Sequence, residues 1–460
     1  MNNWRAFLVL FFSIIYVPAF AQNEQQQKLL TLLSEGRYFE SRDLYNEIHN
    51  TLDFDEELYY KYWMCKFMNK KDSAAICLEK MLEDYPEFVE NGVMSIYIEL
   101  FNIYTDLKDK EKGVYTYKRV MEYLKDNPYG VNEEEITVLK RETEEQYACF
   151  KQLVNEPLIK LRRKKTSDSL KIEGKDKLWF NAKFNGFVHK AIFDTGGGTY
   201  CTMSRNCAEK IGIKYDTSKI VKKPLNNTDM QIFQVIMDSI EIGDIVLYNT
   251  PIQLLDHDIS QYLPDSIKND SIEMEDFDSV KDEIGSPMLG LPMMQLIGRL
   301  LIDYENNTIS FPDIHTKISE EPNLFFYNGV YMRAKLNKQE FIGQLDTGAD
   351  SYIEIDSVFY EKHKNNISID TVTVKKPYNL AMYHRTWVDM PYQIPDNLKI
   401  TFDNKQISPP SDDENSIKIY SIQPIWPTKV FDGIIGYDFF KRIGKRVLLD
   451  LDNMRIEAIE

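Results

Sequence analysis

Polar and apolar positions change their period once along this chain. Residues 24–165 follow helical spacing, with Leu29, Leu30, Leu32, Leu33 and Tyr38 on one face. Breaks recur at Gly36-Arg37-Tyr38-Phe39-Glu40, at Asn69-Lys70-Lys71-Asp72 and at Leu107-Lys108-Asp109-Lys110, so the pattern predicts helical hairpins. From Leu178 the alternation becomes that of strands. Trp179 to Phe184 leads into Asn185-Gly186, a strong hairpin signal, and the next strand runs to Asp194. Short helices are expected at Ser204 to Ile211 and Ser357 to His363. Strands are expected at Met230 to Ile236, Ile240 to Ile242 and Ile245 to Leu247, with hairpins around Asn306-Asn307 and Asp452-Asn453.

The helical breaks lie about 35–38 residues apart, close to the tetratricopeptide period of about 34. Ala74 to Met81 followed by Tyr85-Pro86 resembles the second helix and closing proline of such a repeat. A tetratricopeptide-like layer can serve as a docking groove for a peptide or protein partner. It can equally be a structural appendage of the domain that follows. The basic run Leu161-Arg162-Arg163-Lys164-Lys165 is expected to be a solvated helix end before a linker. A processing site or anionic-lipid contact is the sharper alternative.

Composition narrows the function. The chain has 460 residues, enough for about three domains. Its net charge of −17 argues against a nucleic-acid partner, because phosphate binding needs clustered Lys and Arg. The acidity is read as a solubility feature. Arg5, the apolar run Phe7 to Val17 and Ala19-Phe20-Ala21 predict a signal peptide over residues 1–21, cleaved near Ala21. The mature chain is then expected to be exported, periplasmic or secreted, with no membrane span. Cys65 and Cys77 can meet across a helical hairpin, and Cys201 and Cys207 just after the first loop described next. Buried free thiols, with Cys149 as the fifth, fit equally well. No spacing of Cys or His suggests a metal site, and no cofactor is implied. Residues 259–286 form an acidic insertion read as an exposed loop; a cleft lid or calcium loop is the alternative, although EF-hand spacing is absent.

The chemistry concentrates in a duplication. Ala191-Ile192-Phe193-Asp194-Thr195-Gly196 and Gly343-Gln344-Leu345-Asp346-Thr347-Gly348 carry the same tripeptide, their aspartates 152 residues apart. At the same offset Ala182, Lys183, Asn185 and Tyr200 match Ala334, Lys335, Asn337 and Tyr352. Met288-Leu289-Gly290 corresponds to Ile434-Ile435-Gly436, and Arg299 to Asp303 corresponds to Arg446 to Asp450. A repeat this long is a duplicated domain, since solenoid modules repeat every 20–50 residues or so.

Over residues 175–460 this pattern resembles the retropepsin-like aspartic proteases, particularly two-lobed bacterial members. The resemblance implies one catalytic aspartate per lobe, Asp194 and Asp346. It implies loop support from Thr195, Gly196, Thr347 and Gly348, with the threonines hydrogen-bonding across the lobe interface. Leu289-Gly290 and Ile435-Gly436 would pass beneath the two loops. Asp350 is a secondary candidate for substrate binding. Hairpin flaps are expected within residues 218–236 and 373–393, the second containing Tyr378, Tyr383 and Trp387. The first loop departs from the pattern in having Gly197 and Gly198 after the tripeptide, which predicts a looser loop. The expected fold class is multi-domain α + β. It comprises a signal peptide (1–21), a helical-hairpin domain (22–165) and a bilobal all-β acid-protease fold, with lobes at 166–315 and 316–460.

Two carboxylates held together can activate water and protonate a leaving amine, with neither metal nor covalent intermediate. The resulting expectation is an exported aspartic endopeptidase acting on peptide or protein. It is expected to be a monomer, because one chain supplies both loops. The competing expectation is a peptide-binding module whose degenerate protease fold no longer turns over.

Overall fold

The computed structural model describes residues 24–85, 92–126, 132–164, 168–174, 177–216, 220–225, 228–256, 285–312, 321–349, 351–367, 374–381, 384–393, 398–407, 417–420 and 431–459. The predicted signal peptide, Asp350, Tyr383 and all but the end of the acidic insertion lie outside these residues. Contacts divide the chain into two units at Leu158/Ile159.

The first unit contains helices α1 (Glu24–Ser34), α2 (Tyr38–Ile48), α3 (Phe54–Phe67), α4 (Lys71–Asp84), α5 (Val93–Asp106), α6 (Lys110–Asp126) and α7 (Glu133–Leu153). Three consecutive hairpins turn by one device. Gly36, Asn69 and Lys108 each take a left-handed conformation, with φ of 75°, 53° and 54°. The next residue in each case returns its N–H five residues back: Arg37 to Leu32, Lys70 to Cys65 and Asp109 to Tyr104, at 2.8–2.9 Å. This closure satisfies carbonyls that a helix C-terminus leaves bare. The sequence breaks therefore fall at the turns, with left-handed residues 33 and then 39 positions apart. Tyr62, Leu78, Met81, Ile96, Leu100 and Tyr104 are among the side chains buried between these helices.

The second unit opens with a strand where a helix end was expected. Lys160–Arg163 (β1) pairs antiparallel with Ile245–Asp256 (β8), Leu161 opposite Leu247. The basic run reads as solvated because its charges outnumber its apolar residues. The guanidinium of Arg163 instead donates to the carbonyls of Phe311 and Ile297, and the Lys164 ammonium reaches Glu241 at 3.0 Å.

The remaining elements of the first lobe are β2 (Leu170–Lys171), β3 (Trp179–Phe184), β4 (Phe187–Asp194), β5 (Thr202–Ser204), α8 (Arg205–Lys210), β6 (Ile220–Leu225), β7 (Thr228–Ile242), β9 (Met288–Gly290), α9 (Leu291–Ile297), β10 (Arg299–Asp303) and β11 (Thr308–Ser310). The second lobe follows with β12 (Leu324–Phe326), β13 (Val330–Leu336), β14 (Gln339–Asp346), β15 (Ile353–Ile355), α10 (Ser357–His363), β16 (Val374–Ala381), β17 (His384–Gln393), β18 (Ile400–Phe402), β19 (Lys405–Ile407), β20 (Ile417–Tyr420), β21 (Gly433–Gly436), α11 (Tyr437–Ile443), β22 (Arg446–Asp450) and β23 (Arg455–Ala458).

Among the described residues each lobe is one sheet, ordered β1-β8-β5-β9-β4-β3-β7-β6 in the first and β16-β17-β20-β15-β21-β14-β13-β18-β19 in the second. The stretches expected as flaps are the antiparallel hairpins β6/β7 and β16/β17. Strand β7 runs unbroken where two segments, Met230 to Ile236 and Ile240 to Ile242, were expected. The duplicated asparagines make matching corners. Asn185 and Asn337 take φ of 48° and 46°, and their side-chain oxygens accept the N–H of Ser239 and Lys399 at 2.9 and 2.8 Å.

A third sheet, β2-β11-β10-β22-β23, joins the lobes. Strands β10 and β22 run antiparallel with Arg299 opposite Asp450, Leu301 opposite Leu448 and Asp303 opposite Arg446. Two copies of one Arg-x-x-x-Asp pattern thus lie head to tail about a pseudo-two-fold axis. Arg299 meets Asp450 at 2.8 Å and Arg446 lies 3.7 Å from Asp303. The register holds the lobes together near their shared axis.

Candidate active site

Each aspartate ends a buried strand that leaves its apolar core for a tight turn. Phe193 and Leu345 are fully buried, so Asp194 and Asp346 are fixed at their roots. Beyond them the chain bends back: the amides of Gly197 and Ala349 return to the carbonyls of Asp194 and Asp346 at 3.1 and 3.2 Å. Gly196 N–H donates to Asp194 Oδ1 at 2.8 Å, and Gly348 N–H to Asp346 Oδ1 at 2.9 Å. These bonds aim both carboxyls off rigid loops.

The threonines cross between lobes. Thr195 N–H donates to Thr347 Oγ1 and Thr347 N–H to Thr195 Oγ1, both at 3.0 Å. The Thr195 hydroxyl donates to the Leu345 carbonyl at 2.6 Å, and the Thr347 hydroxyl to the Phe193 carbonyl at 2.9 Å. Each hydroxyl therefore accepts one bond and donates another, both in the opposite lobe. The two side chains are buried, so all four bonds are shielded from competing water.

Beneath each loop runs the second half of the duplication. Strand β9 lies parallel to β4 with Leu289 opposite Phe193 and Gly290 opposite Asp194. Strand β21 lies parallel to β14 with Ile435 opposite Leu345 and Gly436 opposite Asp346. Leu291 N–H reaches the Gly197 carbonyl at 2.8 Å and Tyr437 N–H the Ala349 carbonyl at 3.0 Å. A Cβ at Gly290 would collide with the carbonyls of Thr199 and Gly197, and one at Gly436 with those of Ser351 and Ala349. Glycine is needed there because loop backbone fills the space a side chain would take.

The two carboxyls meet. Asp194 lies against Gly348 and Asp346 against Gly196, and both carboxyls are pushed above the ordinary carboxylate range, first by burial. For Asp346 the charge of Asp194 adds to that rise; for Asp194 the Asp346 side chain and the Gly196 amide oppose it. Such a pair titrates as a unit, holding one proton between two oxygens because two adjacent negative charges repel. Both side chains keep part of their surface open. A water on that side can lose a proton to one carboxylate while the other, protonated, donates to a carbonyl oxygen.

With Gly197 and Gly198 in place the first loop still makes the Gly196–Asp194 amide bond and the threonine bonds of the second, where Ala349 N–H also lies 3.2 Å from Asp346 Oδ1. Gly197 is closely packed, its missing Cβ facing the Met288 methyl, the Asp194 carbonyl and Gly290 at 3.2 Å. A Cβ at Gly198 would meet open space. Of the residues singled out from the sequence, the structure brings Asp194, Thr195, Gly196, Leu289 and Gly290 against Asp346, Thr347, Gly348, Ile435 and Gly436. The reciprocal Arg299–Asp450 and Arg446–Asp303 pairs were not foreseen. Their signal was present, since the repeat preserves both Arg and Asp at a spacing of four. Among the described residues no three His, Cys, Asp or Glu side chains cluster as a metal site requires, and no helix is long and apolar enough to cross a membrane.

Residues 180–263, which include the first loop, match the family described as "gag-polyprotein putative aspartyl protease". Among solved structures the chain is similar to a retropepsin-like aspartic protease from Rickettsia conorii. That likeness has 15% sequence identity and a TM-score of 0.21, and covers 34% of this chain and 91% of the other. A search of curated proteins finds no match. With paired Asp-Thr-Gly loops facing each other across a pseudo-dyad, and a family match over residues 180–263 that runs through the first of them, the β-rich unit of this chain is similar to the aspartyl proteases that the family model describes.

Proposed function

We propose that this chain is an aspartic endopeptidase. It hydrolyses peptide bonds with a water activated jointly by Asp194 and Asp346. The observation that carries this reading is the crossed approach of the two carboxyls, each lying against the glycine of the other lobe's Asp-Thr-Gly loop. In the reaction, the ionised member takes a proton from water while the protonated member hydrogen-bonds the scissile carbonyl. The attacking oxygen forms a tetrahedral intermediate, and the proton held by the pair passes to the leaving nitrogen. The loop bonds through Thr195 and Thr347 keep the two acids in one geometry, so little reorganisation accompanies the transfer.

The substrate in this reading is an extended peptide or a protein segment. Export after cleavage near Ala21, a periplasmic or secreted location and action as a monomer belong to the same proposal, as does partner docking on the helical hairpins. The complete bond set around Asp194 favours turnover over a binding-only module. The test is incubation of the full chain with a mixture of unstructured peptides across acidic and neutral pH, with products mapped by mass. Cuts that vanish in Asp346→Asn support the proposal. Tight peptide binding with no cuts at any pH would replace it with the binding-module reading.

A further inference from the structure

Cys65 and Cys77 lie on one hairpin of the helical unit. Cys65 lies on the last turn of α3 and Cys77 in the middle of α4. The helices are joined by the left-handed turn at Asn69, in which Lys70 N–H returns to the Cys65 carbonyl at 2.8 Å. That turn fixes the register of the hairpin. Farther from the turn, Phe54 and Tyr85 meet across the same helices, with ring centroids 5.8 Å apart. Within this register Cys65 packs against the apolar cluster that holds Cys77, and each thiol acts on the other's proton affinity. Their surroundings differ. Cys77 is buried at 4% exposure within the apolar core, whereas Cys65 packs against that core from the outside and is partly open.

We propose that Cys65 and Cys77 form a thiol–disulfide exchange site, with a small-molecule disulfide as oxidant, Cys65 as the attacking thiol and Cys77 as the resolving one. The asymmetry of the pair assigns the roles. The thiolate is the nucleophile, so the more exposed and more easily ionised sulfur reacts first. Cys77 first, and then Lys61 and Lys70, lower Cys65 to about 7 against the opposing effect of burial. Cys77 is pushed up by Cys65 and by burial, with Glu57 adding to the rise.

The exchange balances as two displacements. The Cys65 thiolate attacks one sulfur of the donor disulfide, forming a mixed disulfide and expelling one donor thiolate, which takes up the proton that Cys65 released. Cys77 then loses its proton and attacks the Cys65 sulfur, and the second donor thiolate leaves and is protonated. Two protein thiols are oxidised and one donor disulfide is reduced to two thiols.

The experiment treats the full chain with oxidised glutathione, blocks the remaining thiols under denaturing conditions and maps the peptides by mass. The wild-type chain should yield a Cys65–Cys77 linked peptide, lighter by two hydrogens, while Cys201 and Cys207 are recovered alkylated. Cys77→Ser should stop at a Cys65–glutathione mixed disulfide. Cys65→Ser should leave Cys77 free, because it is covered. Recovery of Cys65 and Cys77 as two free thiols from the wild-type chain would overturn the proposal, as would glutathione on Cys77 in the Cys65→Ser variant. The wild-type arm decides the question even where a variant fails to fold.

Discussion

The carboxyl group of Asp194 occupies the space that a side chain at Gly348 would need. A Cβ on Gly348 would stand 2.6 Å from Asp194 Cγ, and one on Gly196 would stand 2.7 Å from Asp346 Cγ. Each Asp-Thr-Gly loop thus leaves out a side chain so that the other lobe's acid can approach. The glycines serve the neighbouring lobe as much as their own turn.

This reciprocity predicts that Gly348→Ala and Gly196→Ala displace the opposite carboxyl while leaving the bulk of each lobe intact. A misplacement of about 1 Å in a catalytic group costs about 100-fold in rate. Peptide cleavage in either variant is expected to fall by about that factor, with a circular-dichroism spectrum like that of wild type. Cleavage at the wild-type rate would mean that the carboxyls do not need this contact.

The crossed threonines predict a difference between two conservative changes. Thr195→Val keeps the shape but strips the Leu345 carbonyl and the Thr347 amide of their partners. An unsatisfied buried group costs about 1–3 kcal/mol, so two should cost about 2–6 kcal/mol in unfolding free energy. Thr195→Ser keeps the hydroxyl and should recover most of that loss. A Thr195→Ser variant as unstable as Thr195→Val in urea unfolding would contradict this account, because Ser retains the hydroxyl that makes both bonds.

Arg299 and Asp450 are 4% and 1% exposed, so their ion pair lies out of water. Asp450 also accepts the amides of Asp452 and Asn453 at the closing turn. Arg299→Met leaves a buried carboxylate without its cation, a loss of about 3–5 kcal/mol. Adding Asp450→Asn removes the orphaned charge and should restore much of the stability. A double variant less stable than the single would contradict this account of the lobe junction.

The doubling was legible in the sequence because backbone geometry restricts residue type. Asn185 and Asn337 sit at left-handed corners, and Gly290 and Gly436 lie against loop carbonyls, so chemistry at these places tolerates few alternatives. The helical hairpins were legible for the same reason, since their turns need Gly36, Asn69 and Lys108 in a conformation that most residues avoid. Strand β1 was hidden because a run of like charges reads as solvated surface: Arg162 is indeed exposed, and only the fold brings Arg163 to the carbonyls of Ile297 and Phe311 and Lys164 to Glu241. The pairing of Arg299 with Asp450 was hidden by distance along the chain, since matching residues in a repeat do not reveal the register in which two copies meet. The contact between Cys65 and Cys77 was open from sequence because helical phase alone does not fix which faces of a hairpin touch.

Asp432 carries a pH-dependent cost. It precedes β21 and accepts the Ile342 amide at 2.8 Å, and burial pushes its carboxyl up to about 6. The unfolded value is about 3.9, so between these limits the folded chain binds the extra proton. Stability therefore falls as pH rises through this window. The penalty is absent below about 4 and fully present above about 6. Asp432→Asn keeps an acceptor for Ile342 and removes the charge. Its unfolding free energy should exceed that of wild type by more at pH 7 than at pH 4; the same difference at both would place the penalty elsewhere.

The central claim is that Asp194 and Asp346 act as one unit across the lobe boundary. The direct measurement is kcat/KM for peptide cleavage in Asp194→Asn, Asp346→Asn and the double variant. Each single change should lower it by at least the 10²–10⁴-fold that a lost acid–base group costs, roughly, and the double variant should be no worse than the weaker single. Losses that multiply in the double variant, or full activity in either single one, would contradict a shared-proton pair.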